Sequence, residues 1–208
     1  MSFSFWPRVV FRTKSRISGE IVVKEHLGKY SLHVQGLIQS GGIVKGIWKK
    51  PIRAVQRKMS VARQILVLGL GGGTVVQLIK ARWPEAKIIG IEIDPEIIRV
   101  GKKYFGLGKV TGLKTVQANA FSYVAKAHGE FDLVIVDLYL GHQLPRAVAS
   151  DKFLGNVARL VADDGVAVFN CLRGDEKSLS DFERKLKKHF ASTARIKTST
   201  NLFFLARV

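Results

Sequence analysis

Apolar residues follow two different periods along the chain, and the places where the period changes mark the expected elements. Glu20-Ile-Val-Val-Lys24 and Tyr30-Ser-Leu-His-Val34 read as strands with His26-Leu-Gly-Lys29 as the turn between them, so a β-hairpin is expected over residues 19–40. Gly41-Gly42 breaks that pattern. Residues 47–59 then carry Trp48, Ile52 and Val55 at helical spacing among basic residues, and Pro51 is expected near the first turn of this helix. From Gln64 onward strands and helices alternate. Ile65-Leu-Val-Leu68 is continuously apolar, as a strand covered on both faces should be. Further strands are expected at 87–92, 113–116, 131–136 and 165–169. Helices are expected at 74–82, 95–105, 121–127, 150–161 and 178–190, the second capped by Asp94 with Pro95 at its first position. Two strand-like pieces, 194–197 and 202–208, close the chain around Thr198-Ser-Thr-Asn201.

Five strands separated by helices imply a doubly wound parallel sheet. The last connection is too short for a parallel crossover, which takes a dozen or more residues, so the final pair must be antiparallel. The expected fold is therefore α/β: a Rossmann-like class I methyltransferase fold whose seven-stranded, mostly parallel sheet ends in an antiparallel hairpin. An N-terminal β-hairpin region over residues 1–45 precedes the Rossmann-like domain over 46–208.

Composition narrows the setting. With 208 residues, 47% apolar and 24% charged, the chain suits one globular domain plus a small appendage. No apolar run could span a bilayer, and the start lacks the apolar run and small-residue cleavage site of a secretory leader. The single cysteine, Cys171, excludes an internal disulfide and a cysteine-only metal site, and a cytoplasmic location is expected. The net charge of +18 is spread over Arg8, Arg12, Lys14 and Arg16, over Lys49, Lys50, Arg53, Arg57 and Lys58, and over Arg184-Lys-Leu-Lys-Lys188. Such a field admits nucleic acid, acidic lipid or an anionic substrate as partner, but it also fits a merely solubilising surface, and no nucleic-acid motif accompanies it.

The candidate chemistry sits at the ends of the expected strands. Gly69-Leu-Gly-Gly-Gly-Thr74 follows the first core strand and opens a helix, where glycines let the backbone approach a ligand closely. Glu92 ends the second core strand, placed to accept hydrogen bonds from the hydroxyls of a ribose. Glycine and acid spacing alone would also admit NAD, but Thr74 occupies the third glycine position and the antiparallel finish is foreign to NAD domains. Asn119, beside Ala120 and Phe121, suits either the adenine edge or a helix N-cap. Asp137, at the end of the fourth core strand, could orient or deprotonate an acceptor, or serve a turn. His142 and Cys171 also lie beyond strand ends, and neither carries a catalytic assignment.

With these residues in view, the chain resembles the spermidine synthase family of aminopropyltransferases. The likeness rests on Leu32-His-Val-Gln-Gly-Leu-Ile-Gln39, the loop from Gly69 to Thr74, Ile91-Glu-Ile-Asp-Pro95 and Phe131-Asp-Leu-Val-Ile-Val-Asp137. It implies that Gln39, Glu92, Asn119 and Asp137 surround the nucleoside and sulfonium of S-adenosylmethionine or its decarboxylated form, and with Gly69, Gly71, Gly72, Gly73, Ile93 and Ala120 they make up the expected cofactor site. It also implies a homodimer formed through the N-terminal hairpin. The departures fall where polyamine chemistry needs acids. The family's loop aspartate is Gly72, its acidic pair and tyrosine after the glutamine are Val44, Lys45 and Trp48, and the second acid of its D-S-S-D-P loop is Leu140. Intact S-adenosylmethionine suits this pattern better, because glycine N–H groups at a helix N-terminus would accept its carboxylate. The expected function is therefore an S-adenosylmethionine-dependent transferase, a methyltransferase before an aminopropyltransferase, acting through Asp137 on an acceptor that the residues do not name. The non-enzymatic alternative is a basic RNA-binding or scaffold protein that keeps the fold.

Overall fold

The structure, a computed structural model, describes residues 6–139 and 145–208. Its N-terminal part is larger than the expected hairpin. Strands β1 (Arg8–Ser15), β2 (Gly19–His26), β3 (Lys29–Val34) and β4 (Leu37–Ser40) form one antiparallel sheet in that order. The expected pair is β2 and β3, with Val23 opposite Leu32. The turns Leu27-Gly28 and Gln35-Gly36 both carry positive φ at their two central residues, the backbone twist that suits a tight hairpin. Ile21, Val23, Leu32 and Val34 are buried against Ile97 and Val100, so the small sheet is anchored on the main domain.

Helix α1 (Gly42–Lys58) begins five residues earlier than expected. The glycines do not break the chain: Gly41 is the N-cap at φ 120° and its N–H donates to Thr74 Oγ1 at 3.0 Å. Pro51 consequently lies inside the helix rather than in its first turn, buried beside Trp48, Ile52 and Val55. There it withholds an N–H from the turn before it, and apolar burial has to outweigh that loss. Residue 45 lies within this helix, which links the two sheets.

The main sheet has the order β10-β11-β9-β8-β5-β6-β7. Its parallel strands are β5 (Gln64–Leu68), β6 (Lys87–Glu92), β7 (Leu113–Gln117), β8 (Phe131–Val136) and β9 (Val161–Leu172). The last two, β10 (Ser192–Lys197) and β11 (Asn201–Arg207), pair antiparallel with each other, and β11 pairs antiparallel with β9. That finish is the one expected from the short final turn. Helices α2 (Thr74–Lys80), α3 (Pro95–Tyr104), α4 (Ala120–Lys126), α5 (Asp151–Leu160) and α6 (Glu176–Leu186) supply the crossovers.

Alternate residues of the parallel strands feed two cores. Ile65 and Val67 join α1 and α2 on one face, while Leu66 and Leu68 join α5 and α6 on the other. Trp48 and Phe203 meet edge to face with centroids 4.8 Å apart, fastening α1 to β11. Phe203 is fully buried, so Phe203→Ala should lower unfolding stability by roughly 3–5 kcal/mol in urea titration. A loss below about 1 kcal/mol would mean that α1 is held by other contacts.

Candidate functional site

The parallel strands deliver their C-terminal ends to one crevice, and the loop after β5 is held there by the backbone. Gly69 N and Leu70 N both donate to Ile91 O at 3.0 Å, and Gly73 N donates to Leu70 O. Gly69 has φ 87°, and a Cβ on it would lie 2.1 Å from the Asp137 carbonyl oxygen. No larger residue fits between β5 and the end of β8.

Glu92 is 9% exposed and makes the central connection. Its Oε2 accepts from Gly71 N at 3.0 Å, and its Oε1 accepts from Ile93 N at 2.9 Å and Asp94 N at 3.1 Å. Burial pushes its carboxyl above the ordinary value; these N–H bonds work against that, and nearby Asp94 adds to the rise. Asp94 caps α3 as expected, accepting from Glu96 N through Oδ1, while its buried Oδ2 has no hydrogen-bond partner.

The N-terminal sheet also reaches this crevice. Ser40 Oγ, at the end of β4, accepts from Gly72 N at 2.9 Å. A Cβ on Gly72 would meet Ser40 Oγ at 2.8 Å and Ser40 Cβ at 2.9 Å, so Ser40 fills the space a side chain at 72 would use. Gln39, half-buried next to it, brings its carbonyl near Gly71. The expected glycine N–H donors for a carboxylate are therefore already engaged: Gly71 by Glu92, Gly72 by Ser40 and Gly73 by Leu70.

Asp137 N donates to Leu68 O at 2.8 Å, which places the residue at the end of β8 beside the loop. Its Oδ1 accepts from Asn170 Nδ2 at 2.7 Å. Asn170 Oδ1 in turn accepts from Asn201 Nδ2 at 2.8 Å, and the Tyr139 hydroxyl donates to the Asn170 carbonyl at 3.0 Å. Burial pushes the Asp137 carboxyl up to about 6, restrained by Asn170 and the Trp48 side chain and reinforced by Glu92. Asn119 acts as the N-cap of α4, its Oδ1 accepting from Phe121 N and Ser122 N. This cap occupies its carbonyl and leaves the amide hydrogens for other partners. Ala120 is buried next to it, and Ile93 is 41% exposed at the rim. Cys171 is buried, with its thiol pushed up to about 12 by burial, which makes it unreactive. His142 and Leu140 lie outside the described residues.

The structure thus gathers Gln39, the glycine loop, Glu92, Ile93 and Asp137 at one strand-end crevice, with Asn119 and Ala120 on the adjoining turn. Sequence reasoning missed Ser40, Asn170 and Asn201. A polar residue inside the apolar run Val166–Leu172 was the available signal for Asn170. Among the described residues no group of three or more histidine, cysteine or acidic side chains could hold a metal ion. Two cavities of about 710 and 340 Å³ lie away from the crevice, one lined by Lys80, Lys87 and Thr111 and the other by Tyr123, Lys126 and His128.

The spermine/spermidine synthase domain family matches residues 52–201, well over half of the chain. The chain belongs to that family. A polyamine aminopropyltransferase of Chromobacterium violaceum is 31% identical over 125 residues, which are 60% of this chain and 48% of that protein. An eEF1A lysine and N-terminal methyltransferase homolog of Drosophila melanogaster is 27% identical over 154 residues, 70% of this chain and 23% of that protein. The chain therefore spans about half the length, or less, of these curated relatives. Among solved structures, spermidine synthase from Thermotoga maritima shares the fold with a TM-score of 0.75 at 19% identity, over 96% of this chain and 72% of that one. Human methyltransferase-like protein 13 in complex with SAH shares it with a TM-score of 0.64 at 22% identity, over 79% of each.

The raised Asp137 carboxyl gives a signed prediction. Between the ordinary value of 3.8 and about 6 the folded chain keeps a proton that the unfolded chain has released, so Asp137 costs stability increasingly as pH rises through that window. Asp137→Asn should therefore match wild type near pH 3.8, gain on it up to pH 6 and hold a constant lead above. Urea unfolding across pH 4–8 measures this; a lead that is flat or shrinks with pH contradicts it.

Proposed function

We propose that this chain is an S-adenosylmethionine-dependent transferase that transfers a methyl group in preference to an aminopropyl group. The observation that carries the reading is the contact between Gly72 and Ser40. The decarboxylated donor calls for an acid at position 72 to face its ammonium, and Ser40 fills the space such a side chain would need. The three acids that could have converged on the pocket in its place are engaged in ion pairs. Glu20 pairs with Arg12, Glu25 with Arg8 and Asp151 with His189. Losing a charged partner in a partly desolvated site costs about 2–5 kcal/mol. The carboxylate of the intact donor is admitted because no acid stands at position 72 to repel it, not because loop N–H groups stand free.

The residues present fit such a group. A carboxylate offers about four acceptor positions, and three on Glu92 are taken by backbone N–H groups, which leaves one on Oε2 for a ribose hydroxyl. Exposed Ile93 offers an apolar contact to the nucleoside, and the Asn119 amide hydrogens and Ala120 border the adenine position. When bound, S-adenosylmethionine supplies a carbon on a sulfonium leaving group. The chain's own task is then alignment, which contributes most of the rate in such displacements. Asp137, with its carboxyl near 6, is mainly ionised at neutral pH and can take a proton from an acceptor, and Asn170 holds its orientation. A cytoplasmic setting belongs to the same reading, supported by the lone, buried Cys171. Among the described residues no helix is long and apolar enough to cross a membrane.

Similarity to the polyamine aminopropyltransferases supports the second reading, aminopropyl transfer. Calorimetric titration with S-adenosylmethionine and with its decarboxylated form separates the two. The intact donor should bind at least tenfold more tightly. Tighter binding of the decarboxylated form would overturn the argument from Gly72, and binding of neither would favour a non-catalytic scaffold.

A further inference from the structure

We propose that the outer face of α1 is a docking surface for duplex nucleic acid, gripped through its phosphates. This inference is independent of the donor assignment. Lys45, Lys49, Arg53 and Arg57 recur every fourth residue along the helix and are all exposed, with Lys50 and Lys58 beside them. The 17-residue helix contains no acid. Like charges four residues apart disfavour a helix, and Lys45, near the N-terminal end, also opposes the helix dipole. No ion pair among the described residues relieves the repulsion. The ion pairs of the described residues draw their cations from β1, α3, α6 with the turn after it, and β10, and none comes from α1. Lys50 is the exception in contact rather than in charge, donating to the Lys197 carbonyl at 3.0 Å.

The chemistry of the face selects among polyanions. A membrane would require an apolar stripe to insert, but Trp48, Ile52 and Val55 are buried in the core. Single strands are held by aromatic platforms, and Trp48, the one aromatic of α1, is 1% exposed. A protein partner presents charges of both signs, and an acid-free face offers nothing to its cations. Duplex nucleic acid presents one sign only. From Lys45 to Arg57 the face runs about 18 Å at 1.5 Å per residue, a length over which a duplex carries roughly ten charges. The start of this helix is tied to the glycine loop through Gly41 and Thr74, so a duplex lying along it would pass the strand-end crevice.

The test is fluorescence anisotropy with a labelled 20-base-pair duplex over a range of salt concentrations. Wild type is compared with Lys49→Gln/Arg53→Gln/Arg57→Gln and with a charge-matched control on α6 and its following turn, Lys177→Gln/Lys185→Gln/Lys188→Gln. Helix α6 covers the opposite face of the sheet. The α1 variant should lose at least tenfold in affinity, and its log–log salt slope should become shallower by about 2.7, at about 0.9 per phosphate contact. The control should change that slope by less than about 1. Should the α1 variant misfold by circular dichroism, lysine acetylation of wild type decides instead: duplex should protect Lys49 and Lys58 but leave Lys177 and Lys188 reactive. The proposal is overturned if wild type fails to bind duplex at low salt, or if both variants lose equally. It is also overturned if Lys177 and Lys188 are the protected pair, or if anionic vesicles, poly-glutamate or a single strand of equal length binds more tightly than duplex.

Discussion

Everything at the strand-end crevice depends on how the Gly69–Gly73 backbone is tied down, and Glu92 is the tie that reaches furthest. Its carboxylate bridges the loop after β5 and the turn after β6 by accepting from Gly71, Ile93 and Asp94. A buried carboxylate is costly unless it is fully hydrogen-bonded, and here the bonds that stabilise it also set the loop's shape. The loop in turn receives Ser40 from the N-terminal sheet, so two sheets and two crossovers meet within one hydrogen-bonded unit. In the proposed function these contacts serve twice: the side chain assigned to the ribose is also the one that holds the loop together.

A second polar line enters from the other side of the sheet order. Asn201 on β11 contacts Asn170 on β9, which contacts Asp137 at the end of β8. Both asparagines are buried, and each satisfies the other, as polar groups in a core must be. The antiparallel finish that distinguishes this fold therefore does more than close the sheet. It carries the residue that orients the partner of Asp137.

Much of this was legible in the residues. The parallel strands were readable because burial on both faces demands uninterrupted apolar runs, as in Ile65–Leu68 and Leu133–Val136, and the short turn at 198–201 forced the antiparallel end. Strand β1 was missed because Arg8, Arg12 and Lys14 interrupt it, as an edge strand facing solvent allows, and β4 because it has only four residues. The start of α1 was missed because two glycines resemble a break, although one of them serves as a cap. The strand-end positions of the glycine loop, Glu92 and Asp137 were legible from local order alone. Ser40 and Asn201 were not, because their roles depend on partners 32 and 31 residues away.

The most direct measurement is a crystal structure of the chain with S-adenosylhomocysteine. The account predicts the ribose on Glu92, the adenine beside Ile93, Asn119 and Ala120, and the Ser40–Gly72 contact intact. A nucleoside lodged elsewhere, or Ser40 displaced from Gly72 to admit it, would contradict the account.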